Sequence, residues 1–151
     1  MAMSQLQQTM ATLRMSLAEI QHKENQLDSL VAQFRTQLRR LPRQVIYGKT
    51  SLEMSLAAMG EIEERLADAV ATRRRLLAIK KSAMEELETL ELLKRVDEAR
   101  RSLQALKQRI RTSGEDEETL AEIRRLEQFI ADYSKRAERA ITTSYQERQE
   151  K

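Results

Sequence analysis

Residues 3–41 read MSQLQQTMATLRMSLAEIQHKENQLDSLVAQFRTQLRRL, and their apolar positions decide the fold. With Met3 at heptad position a and Leu6 at position d, apolar side chains recur at alternating steps of three and four residues, and only Glu24 interrupts the series. The members of this seam are Met3, Leu6, Met10, Leu13, Leu17, Ile20, Glu24, Leu27, Val31, Phe34, Leu38 and Leu41. Because the repeat continues for more than five heptads, it predicts a coiled-coil helix.

The composition of the chain agrees with this pattern. The 151 residues are 34% charged and 3% aromatic, with three glycines, one proline and no cysteine. A chain so poor in turn-forming residues has little room for loops, which excludes a compact α/β or all-β fold. The lack of cysteine excludes a disulfide scaffold and a cysteine nucleophile. Since we find neither a bilayer-spanning apolar run nor a signal peptide pattern, we expect a soluble, cytoplasmic protein.

Proline and glycine mark two predicted connections between helices. Proline and glycine interrupt helices, so we place a connection wherever they occur between helical stretches. Pro42 and Gly48 bracket the first connection, and Gly114 lies in the second. After the first connection, Thr50 is expected to cap the next helix. Gly60 alone lies inside a helical pattern, and the sequence leaves its role open.

The sequence therefore predicts an all-α fold, an elongated antiparallel coiled coil of three long helices. These helices cover roughly residues 3–41, 51–111 and 115–147, in a single domain of residues 1–151 with residues 142–151 as a loose tail. Short connections make successive helices antiparallel neighbours. Two paired helices leave much of their apolar seam exposed, so we expect the chain to self-associate, with a dimer favoured.

The second helix carries two predicted seams, and their phase changes between Leu87 and Leu92. The first seam consists of Leu52, Leu56, Met59, Glu63, Leu66, Val70, Arg73, Leu77, Lys80, Met84 and Leu87. The second consists of Leu92, Val96, Ala99, Leu103, Leu106 and Ile110. Because one residue turns a helix by about 100°, the phase change indicates a change of packing partner.

Four charged residues interrupt these seams: Glu24, Glu63, Arg73 and Lys80. A buried charge without a partner is unfavourable by several kcal/mol. Three alternatives stay open at this point. The seam is hydrated there, the cationic side chains reach outward past apolar neighbours, or Arg73 pairs with Glu24 across the two helices.

One apolar cluster falls in a predicted connection rather than on a helix. Val45, Ile46 and Tyr47 lie between Pro42 and Gly48. They are a candidate docking site for a protein partner. The alternative is that they cover the open end of the helix pair.

Two clusters of basic residues form a candidate anion-binding patch. The first is Arg35, Arg39, Arg40 and Arg43, and the second is Arg73, Arg74, Arg75, Lys80 and Lys81. Such clusters bind the phosphates of nucleic acids or lie on anionic membranes. The alternative is the ordinary solvated surface of a coiled coil.

The sequence offers no convincing catalytic or metal site. Glu19 and His22 have the E-x-x-H spacing of metal-binding helix bundles, but they fall at heptad positions c and f, on the solvent side. His22 is the only histidine in the chain. We therefore expect no catalytic residue, metal, cofactor or small-molecule substrate.

These features predict a non-enzymatic scaffold, spacer or assembly protein that acts through protein–protein contacts. The main alternative is an electrostatic binder of nucleic acid or anionic membrane surfaces through the basic clusters. A weaker alternative is a stalk or chaperone component of a larger secretion or rotary machine, which rests on similarity of form alone.

Overall fold

The computed structural model describes the backbone of residues 3–150 and the side chains of residues 5–138. It contains three α-helices: α1 (Met3–Ile46), α2 (Leu52–Ser113) and α3 (Glu117–Glu150). The backbone over residues 3–150 contains no strand, so the prediction of an all-α fold with three long helices is confirmed. The side chains of the predicted tail at residues 142–151 lie outside the described residues.

The helices form two compact units. Unit 1 contains Met1–Arg14 and Met84–Lys151, and unit 2 contains Met15–Ala83. In unit 2, Asp28 of α1 pairs with Arg73 of α2, and the earlier residue Glu24 pairs with the later residue Lys80. The two helices are therefore antiparallel. In unit 1, the pairs Arg100–Glu138 and Lys107–Glu127 show the same antiparallel relation between α2 and α3.

The predicted seam of α1 is confirmed throughout its described length. Leu6, Met10, Leu27 and Val31 are buried. The seam residues between and after them are all half-buried: Leu13, Leu17, Ile20, Glu24, Phe34, Leu38 and Leu41. The side chain of Met3 lies outside the described residues. A narrow a/d stripe of this kind covers one face of α1 and leaves the opposite face in solvent.

The predicted first seam of α2 is confirmed at seven positions and wrong at four: Met59, Leu66, Val70, Arg73, Leu77, Lys80 and Leu87 are half-buried, and Leu52, Leu56, Glu63 and Met84 are exposed. Ser55 and Ala69 are buried, whereas Leu56 and Glu63 are exposed. The buried or half-buried residues of α2 in unit 2 are Ser55, Ala58, Met59, Ile62, Leu66, Ala69, Val70, Ala71, Arg73, Leu76, Leu77, Lys80 and Ala83. The apolar pattern led to large side chains being assigned to the seam. The buried residues Ser55 and Ala69 are small, and small side chains allow two helices to approach closely. Glu63 consequently needs no partner inside the seam.

The second predicted seam of α2 is confirmed in unit 1. Val96 and Ala99 are buried, and the remaining members, Leu92, Leu103, Leu106 and Ile110, are half-buried. Before this seam, Leu90 packs in a cluster with Leu6 and Met10 of α1. The ion pairs of α2 with α3 begin further along the chain, at Arg100. α1 therefore packs on α2 at Leu90, between the two predicted seams, and the change of packing partner at the phase change stays a prediction.

Pro42 does not end α1. The helix continues to Ile46 with Pro42 inside it, so the predicted joint at Pro42 is wrong, and Val45 and Ile46 are helical rather than part of a loop. Proline removes one backbone hydrogen bond and clashes with the preceding turn. Here only the last turn of the helix follows it, so little of the hydrogen-bond ladder depends on the missing N–H group.

Gly48 is the residue that ends α1. Its φ angle is +69°, in the left-handed region that favours glycine. Its N–H group donates to the carbonyl oxygen of Val45 (3.0 Å), and the N–H group of Lys49 donates to that of Gln44 (2.8 Å). These two bonds form a Schellman motif, which satisfies carbonyls at the helix end. Gly114, with a φ angle of +88°, ends α2 as predicted.

Ser51 caps the start of α2. Its Oγ accepts a hydrogen bond from the N–H group of Met54 (3.2 Å), the third helical residue, as an N-cap side chain does. The prediction of Thr50 as the cap is therefore wrong by one residue. The turn between α1 and α2 is consequently held by side-chain and backbone hydrogen bonds on both sides.

We expect Leu27→Ala to destabilise the protein by about 2–4 kcal/mol, because Leu27 is only 4% exposed in the seam of unit 2 and its truncation leaves a cavity. Leu30→Ala is the matched control, because Leu30 lies three residues away on the same helix and is 40% exposed. We expect this control to lose less than about 1 kcal/mol. Chemical denaturation followed by circular dichroism measures both. Equal losses would contradict the assignment of the seam.

Candidate docking and anion-binding surfaces

Exposed apolar side chains surround the turn between α1 and α2. Ile46, Tyr47, Leu52 and Met54 are between 62% and 76% exposed. We call these four residues the apolar tip. Val45, the first residue of the predicted docking cluster, is half-buried. Ile46 and Tyr47 thus leave most of their surface in solvent, which argues against the alternative that they cover the end of the helix pair.

The apolar tip includes two residues that the sequence analysis did not assign to it, Leu52 and Met54. Leu52 was placed in the seam of α2, and it does continue the inner positions Met59 and Leu66 by one heptad. It is exposed because α1 ends at Ile46, so no seam residue of α1 extends far enough to cover it. Gly48 is the sequence signal that could have revealed this exposure, because a helix that ends before Gly48 cannot cover the first residues of α2.

The surroundings of the apolar tip are basic. Residues 35–56 contain five arginines and lysines and one acid, Glu53, for a net charge of +4. The first basic cluster supplies four of these bases, Arg35, Arg39, Arg40 and Arg43, and all four are exposed. Cations near the carboxyl end of a helix also interact favourably with the helix dipole.

The structure divides the second predicted basic cluster. Arg73 and Lys80 point to α1 and form ion pairs there. Arg74, Arg75 and Lys81 are exposed and form no ion pair with the residues whose side chains are described. Only these last three therefore present free positive charge to an anion.

Glu24 is the centre of a cluster of ion pairs between α1 and α2. Lys80 Nζ donates to Glu24 Oε2 (2.9 Å) and to Gln21 Oε1 (3.0 Å). Arg73 Nε donates to Asp28 Oδ1 (2.6 Å), and Arg73 Nη2 lies 3.8 Å from Glu24 Oε1. The Glu24 side chain is only 12% exposed. Of the three alternatives for these charges, pairing across the helices is the one present in the structure.

The E-x-x-H motif faces solvent. Glu19 and His22 are exposed, and the His22 ring shares a hydrogen bond with the Gln26 amide (3.1 Å). Over residues 5–138, no three acidic, histidine or cysteine side chains come close enough together to hold a metal ion. Among the described residues, no helix is long and apolar enough to cross a bilayer.

A shallow groove of about 480 Å³ lies between α2 and α3 in unit 1. Its walls include Glu85, Glu88, Arg95, Tyr133 and Arg136. Pockets that bind small molecules are mostly apolar, with a few convergent polar groups. The charged walls of this groove are instead typical of the space between two solvated helices.

No family model, curated protein or solved structure matches the chain.

We expect Glu24→Gln to destabilise the protein by about 1–3 kcal/mol, because the change removes the carboxylate that pairs with Lys80 and leaves this half-buried cation poorly compensated, whereas Arg73 keeps its ion pair with Asp28. Glu61→Gln is the control, because Glu61 forms an exposed ion pair with Arg65 one helical turn away. Such pairs contribute about 0.3–0.5 kcal/mol. Urea midpoints of the two variants measure the difference, and similar midpoints would show that the Glu24 cluster contributes no more than a surface pair.

Proposed function

We propose that this protein is a non-enzymatic, cytoplasmic coiled-coil scaffold, spacer or assembly protein that acts through protein–protein contacts and self-associates, with a dimer favoured. The observation that carries this proposal is the apolar tip: four large side chains exposed on a turn whose backbone is fixed by a Schellman motif and a serine cap. The lack of cysteine supports a reducing compartment.

The apolar tip has the properties of a binding surface for another protein. Exposed apolar groups that cluster on a soluble protein usually mark an interaction site. Tyr47 supplies an aromatic side chain of the type enriched among energetically dominant interface residues. The fixed turn lowers the entropy lost on binding, because the backbone is already ordered.

The charge around the apolar tip defines the chemistry of its partner. The net charge of +4 over residues 35–56 favours a partner that surrounds an apolar pocket with carboxylates, because complementary charge accelerates encounter and excludes wrong partners. In this arrangement the tip fills the pocket and the first basic cluster contacts its rim.

We expect a photo-crosslinking amino acid at Tyr47 to capture the partner in cells, whereas the same group at Met15, which is equally exposed at 73%, does not. With the captured protein purified, Ile46→Ser and Tyr47→Ser should each raise the Kd about tenfold or more, because each truncates a central apolar contact. Isothermal titration calorimetry measures the change.

Met15→Ser is the matched control for both substitutions, and it should leave the Kd unchanged. If the Tyr47 and Met15 positions capture the same proteins, or if the tip variants bind with unchanged Kd, docking at the tip is wrong.

A second candidate function is electrostatic binding of nucleic acid or an anionic membrane. The observation in its favour is that Arg35, Arg39, Arg40 and Arg43 are all exposed and form no ion pair with a described side chain. Arg35, Arg39 and Arg43 recur every four residues, so they share one face of α1. This face can contact several phosphates at once without reading sequence.

We expect this second function, if present, to weaken strongly with salt, because cations displaced from phosphates are released on binding. Duplex DNA and vesicles of phosphatidylserine in phosphatidylcholine are the two probes. Changing Arg35, Arg39 and Arg43 together to glutamine should reduce the slope of log K against log salt for DNA by about 3. The same change at Arg101, Arg109 and Arg111, three exposed arginines outside both basic clusters, is the control and should reduce the slope less. No binding of either probe at low salt would exclude this function.

A further inference from the structure

A second regular stripe runs along α2 in unit 2, beside the seam that faces α1. Its members recur at alternating steps of four and three residues: Leu56, Gly60, Glu63, Ala67, Val70, Arg74, Leu77 and Lys81. We call these eight residues the α2 stripe. Alternation of four and three is the spacing by which one helix packs along another. The α2 stripe therefore has the spacing of a packing seam.

The α2 stripe is accessible. Val70 and Leu77 are half-buried, and the other six residues are exposed. A Cβ atom added at Gly60 would meet nothing within 4 Å, so packing within the chain does not require glycine there. Glu63 and Arg74 form no ion pair with the described residues. The α2 stripe thus presents apolar side chains, charged side chains without an ion pair, and a space at Gly60 where no side chain is present.

Charge is separated along this part of α2. Residues 53–68 contain five acids and one base, a net charge of −4, and residues 69–81 contain five bases and no acid, a net charge of +5. Ion pairs within the chain use Arg73 and Lys80 from the basic part and Glu61 from the acidic part. Most of the separated charge is left for another molecule.

We propose that the α2 stripe is the contact surface for a second copy of this chain, which packs on it in the antiparallel direction. Turned end for end, the acidic part of one helix lies on the basic part of the other. In an antiparallel helix pair, position a of one helix faces position d of the other, and the α2 stripe alternates between these two positions. Glu63 then faces Arg74 of the second copy, and by symmetry Arg74 faces its Glu63.

The remaining residues of the α2 stripe fit the same alignment. Leu77 of one copy lies over Gly60 of the other, where the missing side chain leaves room for it. Ala67 lies against Val70, and Leu56 lies along the aliphatic stem of Lys81. The alignment therefore pairs a large side chain with a small one or with a flexible stem in each of these layers.

Antiparallel packing is favoured over parallel packing by the same charges. Two parallel copies would place Glu63 against Glu63 and Arg74 against Arg74, and like charges in an interface oppose binding. The antiparallel contact is two-fold symmetric and uses the same surface on both chains, so association stops at a dimer. This inference gives a surface to the self-association in the proposed function. It does not depend on docking at the apolar tip.

The test is the dimer Kd of the full chain, measured by sedimentation equilibrium. Glu63→Arg and Arg74→Glu should each raise the Kd at least about tenfold, because each replaces two ion pairs by two repulsive contacts. The double variant Glu63→Arg/Arg74→Glu restores both pairs, and its Kd should return to within about threefold of the wild-type value. An equimolar mixture of the two single variants should form a heterodimer.

Asp68→Arg and Arg75→Glu are the matched controls, because they reverse one acid and one base of the same region of α2 and each lies at heptad position b of the α2 stripe, on its outer side. They should leave the Kd nearly unchanged, and circular dichroism confirms that all variants are equally helical. A wild-type chain that is monomeric at its highest soluble concentration overturns the proposal, as does a dimer that the stripe variants and the controls affect equally.

Ile46→Ser at the apolar tip should leave the dimer Kd unchanged. A dimer with the expected charge dependence but no partner at the tip would support this inference and contradict the proposed docking. Partner capture by a chain that does not dimerise would contradict this inference and support the docking.

Discussion

Burial of the α1 seam against α2 is the contact on which the structure depends. In unit 2 it buries Leu27 and Val31 of α1 together with Ala69 of α2. Helices of this length gain most of their stability from such packing rather than from intrinsic propensity. Because the seam covers only one face of each helix, the remaining faces are free to carry other functions. The apolar tip and the α2 stripe both lie on surface that the seam leaves uncovered.

The Glu24 cluster gives this packing a specific alignment. A purely apolar heptad seam packs almost equally well when one helix slides by a whole heptad, because the same kinds of side chain meet again. A polar residue at one seam position fixes the alignment at some cost in stability. Here Glu24 meets Lys80 and Arg73 together, so any slide would separate a partly buried carboxylate from both cations. The same alignment determines which residues of α2 extend beyond the end of α1 and form the tip.

The two proposed surfaces differ in the kind of partner that they select. The apolar tip is strongly basic around a few apolar side chains, so two tips would repel each other and an acidic partner is favoured. The α2 stripe carries both charges, separated along the helix, so it complements itself when turned end for end. A dimer formed through the stripe would present two tips, and a partner with two sites would bind with increased avidity.

The amino-acid sequence by itself determined the three helices, the α1 seam and the helix stop at Gly114, because these follow from local periodicity and backbone conformation. It placed the end of α1 at Pro42, although the helix continues to Ile46. It did not determine which residues of α2 face α1, since burial of Ser55 and Ala69 depends on how closely the helices approach. It singled out Glu24, Arg73 and Lys80 but not Asp28 or Gln21, and it left the pairing open, because pairing depends on the alignment of two helices. The exposure of Leu52 was likewise decided only in the tertiary structure, by the point at which its neighbouring helix ends.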